Sequence, residues 1–158
     1  MTAAPFLNQP SPANSRAIPG ALFHFLATGD QTDNTFALVQ IEVQKGNEPP
    51  AHTHVREDES YYILEGRIKF WIGDEVIDAK AGDFIFLPKG VPHKFELQSD
   101  NVKELMWLAP AGLEKWFWDN SAPAPDVKPL PLMEGPPPKE VIDQFVSSLS
   151  TYGVEMVR

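Results

Sequence analysis

From residue 35 onward, glycine and proline cut the chain into short alternating runs at intervals of about ten residues, and this punctuation restricts the fold more than any other feature. "TFALVQIEVQKG" (35–46) sets Ala37, Val39, Ile41 and Val43 on one face of a strand and Phe36, Leu38, Gln40 and Glu42 on the other. "SYYILEG", "RIKFWIGD", "EVIDAKAGD", "FIFLP", "PHKFELQ" and "KELMWLAP" continue the series, with Gly66, "GD" at 73–74 and Pro88 as turns or stops. No helical period interrupts these runs before Pro110. The spacing therefore predicts an all-β sandwich or barrel.

The flanks read differently. Residues 1–19 are rich in Pro, Ala, Asn and Ser and are expected to form an extended N-terminal arm, with the barrel spanning 20–110. In 111–158, "AGLEKWFWDN" reads as a short helix with Leu113, Trp116 and Phe117 on one side. Seven prolines between 123 and 138 mark an extended tether. "PKEVIDQFVSSLSTYG" (138–153) reads as a last helix with an apolar stripe of Val141, Ile142, Phe145, Val146, Leu149 and Tyr152, closed by Gly153. Both helices are expected to pack on the barrel or on a partner subunit.

Composition removes several classes of function. The chain has 158 residues, enough for one domain with a real core, and no cysteine. Disulfides, thiolate metal sites and a cysteine nucleophile are excluded, so any metal must take nitrogen and oxygen ligands. A net charge of -9 argues against nucleic acid as a partner, because phosphate binding needs clustered Lys and Arg. No window reaches the roughly 18 apolar residues of a membrane span. The start "MTAAPFLNQPSPANS" has neither the basic beginning nor the apolar core of a secretory signal, so the protein is expected in the cytoplasm.

The chemistry concentrates in "PPAHTHVREDESYYILEG" (49–66). His52 and His54 are two apart, so on a strand they share a face with Cα atoms about 6.5–7 Å apart and can converge on one ion. An isolated H-x-H more often faces solvent. Downstream, "GDFIFLPKGVPHKFE" ends an apolar strand at Pro88, turns at Gly90 and delivers His93 to another strand's start. Glu57, Asp58 and Glu59 all follow the first pair closely enough to compete as its carboxylate partner. His24, the remaining histidine, is expected to be a satisfied structural residue.

These residues resemble the cupin family. Gly46, His52, His54, Glu59 and Gly66 fit its first motif, G-x5-H-x-H-x4-E-x6-G, and Gly82, Pro88, Gly90 and His93 fit its second, G-x5-P-x-G-x2-H. The second motif usually ends in Asn, where this chain has Leu97, which puts a strand-end hydrogen bond in question rather than the metal. The resemblance covers residues 20–118 and is strongest to small bacterial cupins similar to quercetin 2,3-dioxygenase. It implies an antiparallel double-stranded β-helix, or jelly-roll, barrel with short C-terminal helices, usually as a homodimer. It also implies one divalent metal (Fe, Mn, Ni, Cu, Co or Zn) held by His52, His54, Glu59 and His93. Glu59 is preferred because the family uses Glu at that spacing and because it leads into the strand of Tyr61; Glu57 and Asp58 are expected to face solvent beside Arg56.

In related enzymes this glutamate accepts a proton from the substrate, so Glu59 is the candidate catalytic residue. Tyr61 shares strand parity with Glu59, and Phe95 with His93, so both are candidate pocket residues, with core packing as their more ordinary role. Phe70, Trp71, Phe84 and Phe86 are expected in the core. Three functions follow from the resemblance. The first is a metal-dependent dioxygenase acting on a small aromatic or enol-bearing substrate. The second is a non-oxidative isomerase or lyase, and the third a non-catalytic binder of a small ligand or metal. Only Arg56, Lys89 and Lys94 lie in the site stretches, which disfavours phosphorylated substrates. Residues 1–20 are too short and proline-rich for a helix-turn-helix.

Overall fold

The computed structural model describes residues 3–157. In chain order the strands are β1 (Ser15–Ile18), β2 (Ala21–Ala27), β3 (Ala37–Gln44), β4 (His52–His54), β5 (Asp58–Glu65) and β6 (Arg67–Ile72). They continue with β7 (Glu75–Lys80), β8 (Phe84–Leu87), β9 (His93–Leu97), β10 (Asn101–Ala109), β11 (Ala122–Pro123) and β12 (Val154–Met156). The helices are α1 (Gly29–Thr32), α2 (Glu114–Asp119) and α3 (Lys139–Thr151). One sheet has the order β11-β1-β2-β3-β10-β5-β8 and the other β12-β4-β9-β6-β7. All pairings within them are antiparallel, and the two sheets enclose a single main core, the jelly-roll barrel that the strand spacing and motifs predict.

The alternation seen in the sequence becomes the two faces of the sheets. In β3, Ala37, Val39, Ile41 and Val43 point inward and their neighbours are only half-buried. In β10, Val102, Glu104, Met106 and Leu108 point inward. Phe70 lies in the core as expected, but Phe84 and Phe86 are 64% and 52% exposed. The inward positions of β8 belong to Ile85 and Leu87, and a period of two sends the phenylalanines outward. Trp71 is also on an outer face, half-buried beneath the Lys94 ammonium at 4.4 Å from its ring centroid.

The flanks join the sheets more than composition suggests. The arm is extended, but its last residues form β1 and pair with β2 and β11. His24 is buried there, with Nδ1 2.7 Å from Ser15 Oγ, the satisfied structural role expected of it. α3 forms where its apolar stripe predicts, yet only Leu149 of that stripe is buried, while Val141, Ile142 and Phe145 remain open. After Gly153 the chain returns as β12, a strand too short to be signalled by any alternation, and lies along β4.

Two devices set the position of the histidine strand. Glu48 receives the Gly46 N–H at 2.7 Å and the Leu97 N–H at 3.1 Å, tying the loop before β4 to the end of β9. Leu97 itself fills the core. Gly66 turns β5 into β6 at φ +91°, and a Cβ there would stand 2.8 Å from the Asn101 carbonyl oxygen. Gly66→Ala is therefore expected to destabilise the protein by about 2 kcal/mol, read as a lower midpoint in urea unfolding.

Candidate metal centre

β4 lies between β12 and β9, with His52 directly opposite His93 in the register. β12 covers its other edge, pairing Val154 with His54 and Met156 with His52. The Gly90 N–H donates to the His54 carbonyl at 2.7 Å, which draws the Pro88–Val91 turn against β4 and sets the start of β9. Glu59 comes from the other sheet, near the start of β5 and opposite Leu108 of β10. The four side chains implied by the cupin motifs thus arrive from three strands and both sheets, and all are buried.

The orientation of each ring follows from its far-side hydrogen bond. Nδ1 of His52 donates to the Pro50 carbonyl at 2.8 Å, and Nδ1 of His93 to the Val91 carbonyl at 3.0 Å. A carbonyl can only accept, so these nitrogens carry protons, and in the neutral form of each ring the lone pair is on Nε2. His54 makes the same bond to Glu57 Oε1 at 2.6 Å. Glu57 is therefore buried against His54, not solvent-facing beside Arg56 as expected. The turn after β4 brings a residue three positions on back over the ring, and the i, i+3 spacing was its only signal. Asp58 is half-buried and accepts the Lys89 N–H at 2.9 Å.

One ligand atom from each of His52, His54, Glu59 and His93 lies within 4.8 Å of the others. This is the scale that bonds of about 2.1 Å to a common ion require. Glu59 Oε2 is 3.7 Å from His54 Nε2 and 3.3 Å from His93 Nε2. Nε2 of His54 and of His93 are nevertheless buried without a hydrogen-bond partner. Buried polar nitrogens are costly when unpaired, and three inward lone pairs beside one carboxylate are a nitrogen–oxygen donor set for a divalent transition metal. The donor set fits the metal that the motifs imply. It does not select among the candidate ions.

The charges follow from the same contacts. Burial pushes the Glu59 carboxyl up, but its contact with His93 and the neighbouring rings outweigh burial and hold it at about 2. Burial lowers His52 to about 4, so its ring is neutral at neutral pH. Burial also acts against a charged His54, but the Glu57 hydrogen bond and the nearby carboxylates outweigh it and raise its pKa. Tyr61 donates its hydroxyl to Glu59 Oε1 at 2.9 Å, and burial followed by the Glu59 charge holds the phenol protonated well above the usual range.

The cluster opens onto a cavity of about 510 Å³. Tyr61 and Phe95, the two expected pocket residues, both line it, and their rings also pack with Phe70 in the core. Phe23, Trp116, Phe117 and the open stripe of α3 complete a mostly apolar wall. A smaller hollow of about 230 Å³ near Glu42, Glu65 and Lys103 contains none of the four residues.

Glu104 also lines the large cavity, and the motifs give no hint of it. The available signal was a single acid at an inward position of "KELMWLAP". Burial, then the Glu59 charge, raises its carboxyl to about 8.

Removing Glu57 frees the His54 ring. Glu57→Ala is expected to weaken metal binding about 10- to 100-fold with the fold intact, as measured by competition with a chelator. Glu104 generates a pH dependence. Its folded pKa is above the ordinary carboxyl value of 4.5, so the unfolded chain releases the proton first as pH rises and stability declines until about pH 8. Glu104→Gln should therefore stabilise the metal-free protein at pH 8. The gain should shrink toward zero by about pH 4.5, as followed by thermal melts across that range.

Comparison with known proteins completes the picture. Residues 39–109 match the family described as "Cupin domain". Quercetin 2,3-dioxygenase of Bacillus subtilis is 31% identical over 103 residues, which cover 65% of this chain and 31% of that enzyme. The chain thus spans about a third of that relative's length. KdgF from a Halomonas species superposes with a TM-score of 0.55 at 17% identity, over 62% of this chain and 87% of that one. The Streptomyces nucleoside dehydratase Pac13 superposes equally, with a TM-score of 0.55 at 21% identity over 70% and 88%. These two likenesses concern the fold. The family match, the motif positions and the two-sheet barrel lead to one conclusion: residues 39–109 of this chain carry a cupin domain.

Proposed function

We propose that the protein is a metal-dependent dioxygenase of the quercetinase type, acting on a small aromatic substrate that carries an enol. The observation that carries this reading is the pair of buried, unpartnered Nε2 atoms, on His54 and His93, in a cluster whose His52, His54 and Glu59 line a 510 Å³ aromatic-rich cavity. The likeness to the Bacillus quercetin 2,3-dioxygenase supports it. His52, His54, Glu59 and His93 would hold a divalent transition metal, which when bound would supply a Lewis acid for a substrate oxygen and access to dioxygen chemistry.

The chain's own groups divide the remaining work. Aromatic side chains hold the ring system and exclude water, so that electrostatic contacts within the cavity are strengthened. Glu59 is ionised at neutral pH and accepts the enol proton, leaving the substrate as its enolate. Tyr61 fixes one oxygen of Glu59 and keeps its own proton, so it orients the acceptor without competing for the role. Glu57, Pro50 and Val91 hold the imidazoles with their lone pairs facing the centre. No lysine or arginine lines the cavity among the described residues, which suits an uncharged substrate better than a phosphorylated one.

The test is oxygen uptake by protein loaded in turn with Fe, Mn, Ni, Co and Cu and supplied with flavonols or β-diketones. Uptake with at least one metal is expected. Glu59→Gln should keep part of the metal and lose turnover by about 10²- to 10⁴-fold. Full turnover in that variant removes the proton-acceptor role. Absence of uptake with every metal moves the protein to the non-oxidative or binding cupins.

A further inference from the structure

Glu104 is the one acidic residue on the cavity wall that the metal set does not use, apart from Glu48, whose two oxygens are engaged by backbone N–H groups. It is 1% exposed, and its Oε2 is sealed from solvent without a hydrogen-bond partner. The other inward residues of β10, Val102, Met106 and Leu108, are apolar. An acid in that row is costly to bury, and its Oε2 finds no partner among the described residues.

The register places this acid away from the metal end. On β10, Leu108 lies opposite Glu59, Met106 opposite Tyr61 and Glu104 opposite Ile63. Four residues of strand separate the two backbone positions, about 13 Å along the sheet, while the side chains lie close enough for the Glu59 charge to act on the Glu104 carboxyl. Phe23, Tyr61 and Phe95 belong to the wall that both acids share. The cavity therefore carries these two acids on a mostly apolar lining that also includes Asn47, Glu48 and Asn120.

We propose that Glu104 is a specificity-determining residue that hydrogen-bonds a hydroxyl on the distal ring of the substrate, at the end remote from the metal. This rests on the dioxygenase reading for what binds at the metal end. The ligand class is a neutral, two-ended hydroxylated aromatic about as long as two or three fused or linked rings. Burial keeps the carboxyl protonated at neutral pH, and a neutral carboxyl both donates and accepts, as a phenolic hydroxyl does. A cationic amine would instead call for the ionised acid.

Calorimetric titration of the metal-loaded full chain with 3-hydroxyflavone and with 3,4'-dihydroxyflavone tests this. The wild type should bind the dihydroxylated probe about tenfold more tightly, the scale of one buried neutral hydrogen bond. Glu104→Leu and Glu104→Met should bring the ratio close to one, while Glu104→Gln, which can still donate and accept, should keep most of it. Metal content and melting temperature of each variant identify any loss of fold, and two apolar replacements of different shape guard against one failing. The proposal is overturned if either folded apolar variant keeps the wild-type ratio, or if the wild type shows no preference or binds neither probe. Oxygen uptake on the same samples separates the two readings. Preference without uptake keeps the role of Glu104 and removes the dioxygenase; uptake without preference does the reverse.

Discussion

Three hydrogen bonds on the outer sides of three imidazole rings fix the rest of the site. With Nδ1 of His52, His54 and His93 committed to Pro50, Glu57 and Val91, each ring has one remaining nitrogen, and all three point to the same place. The barrel supplies those acceptors cheaply. Two are backbone carbonyls two residues before the histidine, in segments where proline already limits the chain. Only His54 takes a side chain, and that acid is itself buried by the fold.

Around this centre the protein keeps its polarity sparse and placed. Glu59 is ionised, Tyr61 is a protonated donor to it, and His52 is neutral. Beyond them the wall is mostly aromatic and aliphatic, with Glu104 buried in it. A cavity of this kind discriminates by where its few polar atoms stand, because an unmatched ligand group leaves one of them unpaired. The long proline tether and α3 add an apolar edge to the same cavity, with Phe145 set against Trp116 at a ring-centroid distance of 4.7 Å.

Much of this was readable from residue order. Period-two alternation located β3, β5, β6, β8, β9 and β10, because those strands bury one face and expose the other. Motif spacing brought His52, His54, Glu59 and His93 together, since fixed turns at Gly66 and Gly90 leave little freedom between them. What escaped were features set by tertiary contact. Phe84 and Phe86 read as core by composition, although parity hands the inside to Ile85 and Leu87. Glu57 read as solvated because charge outranks position in a sequence, whereas the turn after β4 folds it onto His54. β12 is three residues long and carries no pattern of its own. Glu104 has no motif around it, and only the shared wall with Tyr61 and Phe95 reveals its setting.

The most direct test of the central claim is metal stoichiometry. Elemental analysis of the protein purified without added metal, and again after loading, should give about one transition-metal ion per chain. His93→Ala, with the fold verified by its melting transition, should give close to none. Equal metal content in both proteins, or a wild type that takes up no transition metal on loading, would contradict the account.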